Sequence, residues 1–244
     1  MFSAMKKPLM SNISERVARV QKSIRNVCDQ IGRNPKEVKL IVVTKSALYP
    51  AIKEIIELGN LHLGENHVQQ LKKVDTFLRD DPSLNTRVSS IKWHMIGHLQ
   101  RNKVKQVLPM ASLIHSVDTL RLAEEINDCS AKLKKKTRIL LQVNTSNEPQ
   151  KYGVPVGAAT HLAEQLETLP NIELKGLMTM APLTRDKERV RSCFARAKEI
   201  FDEMSGEQIV GPQFTELSMG MSSDYQIAIQ EGATLLRIGS AIFA

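Results

Sequence analysis

A lysine closes the run Val38-Lys39-Leu40-Ile41-Val42-Val43-Thr44-Lys45, where mostly β-branched apolar residues give way to polar ones. Such a run reads as a strand buried on both faces. A cation where it emerges is costly to bury alone, so Lys45 is expected to face a solvated mouth or an anionic, hydrogen-bonding ligand. A lysine that merely snorkels to water is the plainer alternative. Two later segments carry small residues of another kind: Ser218-Met219-Gly220-Met221-Ser222-Ser223-Asp224, just before an expected helix, and Arg237-Ile238-Gly239-Ser240. Hydroxyls and glycines beside a helix start suit the capture of a phosphate by backbone amides and side-chain oxygens.

The elements that must position these residues follow from periodicity. Ile13, Val17, Val20, Ile24, Val27 and Ile31 form one apolar stripe of a helix over 12–32, with Asn12 and Glu15 as a capping box and Gly32 as its stop. After the Lys45 strand, Pro50 opens a helix that Gly59 ends, and a short strand over 61–66 follows. The alternation then repeats: helix 67–79, strand 91–97, helix 102–109, strand 112–117, helix 119–134, strand 138–144, helix 156–168, strand 173–180 and helix 186–204. Strand 215–219, helix 224–231 and strand 234–243 complete it. Eight strands, each but the last followed by a helix, predict an α/β fold of the (β/α)8 barrel type. No Gly-x-Gly-x-x-Gly follows the first strand, which disfavours an open doubly wound sheet. The 12–32 helix is expected to fill the place of the missing eighth helix.

In such a barrel the working site lies at the carboxyl ends of the strands. Those ends carry Lys45, Asn66, His94 or His98, Asp118, Asn144, Thr179 and the two C-terminal segments. Phosphate-holding residues after strands seven and eight, with a lysine on strand one, define a ligand with a phosphate arm and an amine-reactive carbon. Pyridoxal 5'-phosphate fits that description.

Six segments carry a closer resemblance: Val42-Val43-Thr44-Lys45, Gly64-Glu65-Asn66, the run from Trp93 to Lys103, Gly176 to Met180, Leu217 to Ser222, and Arg237 to Phe243. Together they resemble the pyridoxal phosphate homeostasis proteins, the YggS/PROSC-like family, over residues 12 to 243. The resemblance implies a fold-type III barrel similar to the alanine racemase N-terminal domain, with the cofactor held as an aldimine at Lys45. It implies that Asn66 and His94 line the cofactor, that Ser218, Gly239 and Ser240 contact its phosphate, and that Arg237 faces the pyridine nitrogen. Ser222 and Gly220 lie in the same motif and are counted with the cofactor-binding set. Family members run past Ile-Phe with Gly-Ala-Arg, whereas this chain stops at Ala244, which bears on how the last strand is covered.

The chemistry agrees with those types. An aldehyde is attacked by neutral amine, so Lys45 must lose its proton readily, and a neighbouring cation such as Arg237 favours that. A guanidinium does not give up its proton, so opposite a pyridine nitrogen it leaves the ring a poorer electron sink. Alanine racemases need a second domain that supplies a tyrosine across a dimer. The chain has three tyrosines, Tyr49, Tyr152 and Tyr225, and the expectation is that no such domain follows residue 244. The expectation is therefore a single domain over 12–244 behind a frayed segment 1–11. It has no catalytic residues and acts in vitamin B6 homeostasis and, indirectly, amino-acid metabolism. An amino-acid racemase or a Schiff-base aldolase on the same barrel is the alternative.

Composition bounds the remainder. Thirty-four Lys and Arg against 26 Asp and Glu give +8, which suits an anionic ligand, while 4% aromatics argue against stacking platforms for nucleic acid. The basic run Lys132 to Arg138 reads as a solvated face. Cys28, Cys129 and Cys193 are far apart and odd in number, which points to no metal and a reduced cytoplasmic setting. No signal-peptide or membrane-length segment is evident. His62, His67, His115 and His161 read as ordinary surface or packed residues. A monomer that hands its cofactor transiently to apo enzymes is the expected state.

Overall fold

Short strands rich in Val, Leu and Ile pair in parallel and roll up in the computed structural model, which describes residues 12–146, 148 and 150–244. The expectation for segment 1–11 lies outside the described residues. A helix α1 (Asn12–Gln30) comes first, followed by β1 (Lys39–Val43), α2 (Tyr49–Glu57), β2 (His62–Glu65), α3 (Val68–Asp80), β3 (Lys92–Met95) and β4 (Ala111–Val117). Then come α4 (Leu120–Lys132), β5 (Thr137–Asn144), α5 (Val156–Glu167), β6 (Ile172–Met178), α6 (Lys187–Gly206), β7 (Glu216–Ser218), α7 (Tyr225–Gln230) and β8 (Leu235–Ile238). Among the described residues these eight strands form a closed ring: each pairs with the next, β8 returns to β1, and every pairing is parallel. A two-residue ladder, Val154–Pro155, lies beside β5.

Strand alternation divides the apolar residues into two cores. Ile41, Leu113, Leu140, Met178 and Leu235 pack together inside the ring, with Met180 against them. Their neighbours point outward and join the larger core under the helices, where Trp93 donates to Asp75 of α3 at 2.8 Å. In α1, Val17, Val20, Ile24, Val27 and Cys28 are buried, each apolar side chain contributing about 1.5–3 kcal/mol before conformational entropy is counted.

The first helix does fill the gap beside β8, packing between α2 and α7. Arg16 donates to the carbonyl of Ile242 at 3.4 Å and Gln226 to Ser23 at 2.9 Å, tying it to the C-terminal end. Its own end is set by Gly32 at φ +67°, with Arg33 N–H to Cys28 O at 2.9 Å and Gly32 N–H to Asp29 O at 3.3 Å. Ile31 falls past the last helical turn and is 42% exposed, so the stripe ends one member early. Asn12 is the first described residue of α1, and the residues before it, on which the capping-box expectation depends, lie outside the described residues.

Two other expectations need correction. The stretch 102–109 is a 3-10 turn, Arg101–Lys103, followed by one α turn, Val104–Val107, rather than one helix. The last strand does not run to 243. It stops at Ile238, and Ser240–Phe243 forms a single helical turn, so β8 is followed by a helix after all. Gly239 makes the corner, where a Cβ would stand 2.9 Å from the carbonyl oxygen of Val43.

Candidate functional site

At the carboxyl end of the ring, a cavity of about 460 Å³ opens among the ends of β1, β2, β3, β5, β6 and β8, within the size range of small-molecule sites. Lys45 reaches it by parity. Ile41 and Val43 point inward, and Lys45, two residues on, continues that face as the ladder ends with Thr44 N–H to Gly64 O at 3.0 Å. The side chain is exposed there. Arg237 enters the same cavity from β8 and is only 4% exposed. Its Nη1 donates to Ser218 Oγ at 2.6 Å and its Nη2 to the Thr179 carbonyl at 2.9 Å. Burial lowers its pKa to about 10, with Asp224 opposing, so the guanidinium is charged at neutral pH.

A polar corner forms where the β7 loop meets the end of β8. Ser222 Oγ accepts from the amides of Gly239 at 3.3 Å and Ala241 at 3.1 Å. Asp224 Oδ1 accepts from Met221 N–H at 2.6 Å and closes the Ser222–Ser223 turn. Gly220 makes that loop possible: its φ is +91°, and a Cβ would stand 2.5 Å from the Cβ of Ala228. Its carbonyl accepts from Arg237 N–H at 3.0 Å, so the loop and the arginine strand are set together.

Of the residues expected at the site, Lys45, Asn66, Ser222, Arg237, Gly239 and Ser240 line this one cavity. His94, Ser218 and Gly220 do not. Gly220 acts through the loop shape. Ser218 is fully buried on β7, its oxygen engaged by Arg237 and by His115 Nδ1 at 2.9 Å, so it sits beneath the cavity rather than at a phosphate corner. His94 is 4% exposed and lies between two other histidines: its Nε2 is 2.9 Å from His62 Nδ1, and its Nδ1 is 2.9 Å from His115 Nε2. His62 and His115, read from sequence as ordinary residues, belong to this buried file. Burial lowers the pKa of His94 to about 3 and that of His115 well below the usual histidine value.

The opposite wall was not anticipated. Tyr152 stacks on His98 with ring centroids 4.2 Å apart and an interplanar angle of 15°, and both border the cavity with Gln142 and Met180. Gln142 Nε2 donates to the Tyr152 carbonyl at 3.1 Å. Burial raises the carboxyl pKa of nearby Asp118, and His98 partly offsets that rise. A tyrosine is therefore present at the cavity on this chain itself, which removes one ground for setting racemase chemistry aside.

The residues pass a test of fit for a phosphate-bearing aldehyde. Asn66 Oδ1 is buried and has no hydrogen-bond partner among the described residues, so a donor on a ligand would satisfy it. Gly239 leaves the corner free of a side chain beside amides already aimed at an oxygen. An amine and a guanidinium border the same space.

Comparison with known proteins gives a consistent set of relatives. Residues 17–244 match the family model described as alanine racemase, N-terminal domain. The chain is 37% identical over 232 residues to a pyridoxal phosphate homeostasis protein of Aquifex aeolicus, covering 95% of this chain and 97% of that one. It is 34% identical over 236 residues to the protein of that name in Escherichia coli, covering 96% and 97%. Among solved structures, PipY of Synechococcus elongatus, determined with PLP bound, superposes with a TM-score of 0.81 at 32% identity, covering 95% of this chain and all of that one. An alanine racemase of Clostridium difficile superposes with a TM-score of 0.72 at 14% identity over 95% of this chain and 59% of its own, a likeness of fold alone.

Proposed function

The chain belongs to the alanine racemase N-terminal domain family, and on that premise we propose that it binds pyridoxal 5'-phosphate and serves vitamin B6 homeostasis as a carrier. The observation that carries this reading is the convergence of Lys45, Arg237 and the Ser222–Gly239–Ser240 corner on one cavity of about 460 Å³. The names of its relatives and the ligand of PipY support it.

When bound, the cofactor supplies an aldehyde that amines capture reversibly and a pyridine ring that draws electrons from what is attached. Lys45 is the residue that would hold it covalently. Ser222 and Ser240 would take the phosphate through their hydroxyls, the Gly239 and Ala241 amides holding Ser222 Oγ in place as its donors. Asn66 would accept from a donor on the ligand. Arg237 would stand at the ring nitrogen with its proton retained, because its two bonds are to neutral acceptors and its pKa stays far above neutrality. Such a setting damps electron withdrawal and suits storage over turnover.

Carriage without strong catalysis of its own, transient delivery to apo enzymes, a monomeric state and a cytoplasmic location belong to the same proposal. No helix among the described residues is long and apolar enough to cross a membrane. The test is an absorption spectrum of purified protein with added pyridoxal phosphate, before and after borohydride, on wild type and Lys45→Ala. A visible band that borohydride removes in the wild type and that Lys45→Ala lacks is the expected result. A protein that takes up no cofactor would refute the proposal. One observation favours a second reading, slow racemisation: Tyr152 borders the cavity. It predicts α-proton exchange of alanine by the loaded protein that Tyr152→Phe loses.

A further inference from the structure

The file of histidines connects the two ends of the barrel. His62, His94, His115 and Ser218 follow one another at successive distances of 2.9 Å, and Arg237 Nη1 meets the Ser218 oxygen at 2.6 Å. His62 also borders a separate depression of about 420 Å³, shared with Arg25, Lys36, Lys39 and Asn60 at the amino-terminal end of the strands. Solvent there reaches one end of a line whose other end is the guanidinium of the proposed site.

The line has a direction that follows from donor and acceptor counts. Burial holds His94 and His115 neutral, and it lowers the His62 pKa as well. A neutral imidazole has one donor nitrogen and one acceptor. Arg237 can only donate, so Ser218 Oγ accepts from it. If the Ser218 hydroxyl then donates to His115 Nδ1, the ring hydrogens sit on Nε2 throughout, passing from His115 to His94 and from His94 to His62. Every polar atom in the line is satisfied. The reverse order would leave the Ser218 hydrogen without an acceptor among the described residues, in a side chain with no exposure, which is a costly state.

We infer that His115, His94 and His62 are positioning residues for Arg237, forming a directional line that holds Ser218 as its acceptor and transmits protonation of His62 to the proposed ligand site. The ligand end of this inference rests on the function proposed above; the line itself does not. A second proton on His62 would put a hydrogen on Nδ1, facing the hydrogen on His94 Nε2. The conflict resolves when His94 and His115 both move their hydrogen from Nε2 to Nδ1, which leaves Ser218 accepting from both His115 and Arg237, the arrangement disfavoured while His62 is neutral. Lys39 and Lys92 oppose that proton and Glu216 favours it, while His94 presents its own ring at 2.9 Å. His62 therefore titrates on the acid side of an ordinary histidine.

The test uses the full chain without added cofactor, labelled with 15N-histidine, and reads tautomers from long-range 1H–15N correlations. At pH 7.5 His94 and His115 are expected as Nε2–H tautomers. On acidification both are expected to convert to Nδ1–H together with the titration of His62, and His62→Gln is expected to abolish that conversion. An Nδ1–H tautomer of His115 at pH 7.5, or a His62 titration that leaves His94 and His115 unchanged, would overturn the inference. With pyridoxal phosphate added, the bound band is expected to shift through the same acid transition in wild type and not in His62→Gln. A protein that takes up no cofactor refutes the proposed function, and the tautomer measurement still decides the line.

Discussion

Ser218→Ala removes one oxygen that serves two buried partners. Arg237 Nη1, at 2.6 Å, loses an acceptor, and His115 Nδ1, at 2.9 Å, loses its donor, both in side chains under 5% exposed. A hydrogen bond to a charged group is worth about 1.5–3 kcal/mol, and a buried polar atom left unsatisfied costs about 1–3 kcal/mol. The substitution is therefore expected to cost about 3–5 kcal/mol. For a chain of this size that is a fall in Tm of roughly 6–20 °C. Urea unfolding of the cofactor-free protein measures it without reference to function. The double variant Ser218→Ala/Arg237→Met has no stranded guanidinium, so the cycle should show a coupling of at least about 1.5 kcal/mol. A loss under about 1 kcal/mol, or additive single changes, would refute the reasoning that Ser218 is the shared support of Arg237 and the histidines.

Gly220→Ala combines a φ of +91° with a contact at 2.5 Å to Ala228, so a loss of about 2–4 kcal/mol is expected on thermal unfolding; a neutral result would show that the loop relaxes freely. Lys45→Ala should change stability by less than about 0.5 kcal/mol, because the side chain is exposed, while abolishing the borohydride-sensitive band; comparing melting with the spectrum separates the two. Burial raises the pKa of Glu65, whose Oε1 accepts from Thr44 at 2.5 Å and whose Oε2 has no partner among the described residues. The folded state holds this proton more tightly than the unfolded chain. Stability should fall as pH rises from the ordinary carboxyl value through the raised one, and Glu65→Gln should remove that slope in pH-dependent urea titrations.

Much of the site could be read from residue types. Lys45 ends a run too apolar to be anything but a two-sided buried strand, and its inward direction follows from the same alternation that buries Ile41 and Val43. The Ser222 and Gly239–Ser240 segments announced a corner of amides and hydroxyls, and the corner is there. Ser218 was harder. It stands four residues before Ser222 in one motif, yet its role depends on where β7 ends, because Ser218 is still on the strand and at the parity that faces the barrel interior, where His115 and Arg237 meet it, while the turn beyond no longer follows that alternation. The overrun of the last strand has a similar cause. Ile242 and Phe243 are as apolar as the strand, and only the close approach of Gly239 to Val43 shows why the chain turns there.

The sequence by itself determined the alternation of strands and helices, the barrel, and the residue types, a lysine, hydroxyls and glycines, that meet at its mouth, because each rests on periodicity or on chemistry within a few neighbouring residues. Tertiary structure alone decided the histidine line and the Tyr152–His98 wall. His62, His94 and His115 come from three strands, and whether their nitrogens meet at 2.9 Å depends on the register Gly64 with His94 and His94 with Leu113. A shift of one residue in either pairing would turn a histidine to the opposite face. Register is set by the closing of the whole ring, which no local stretch of the chain encodes.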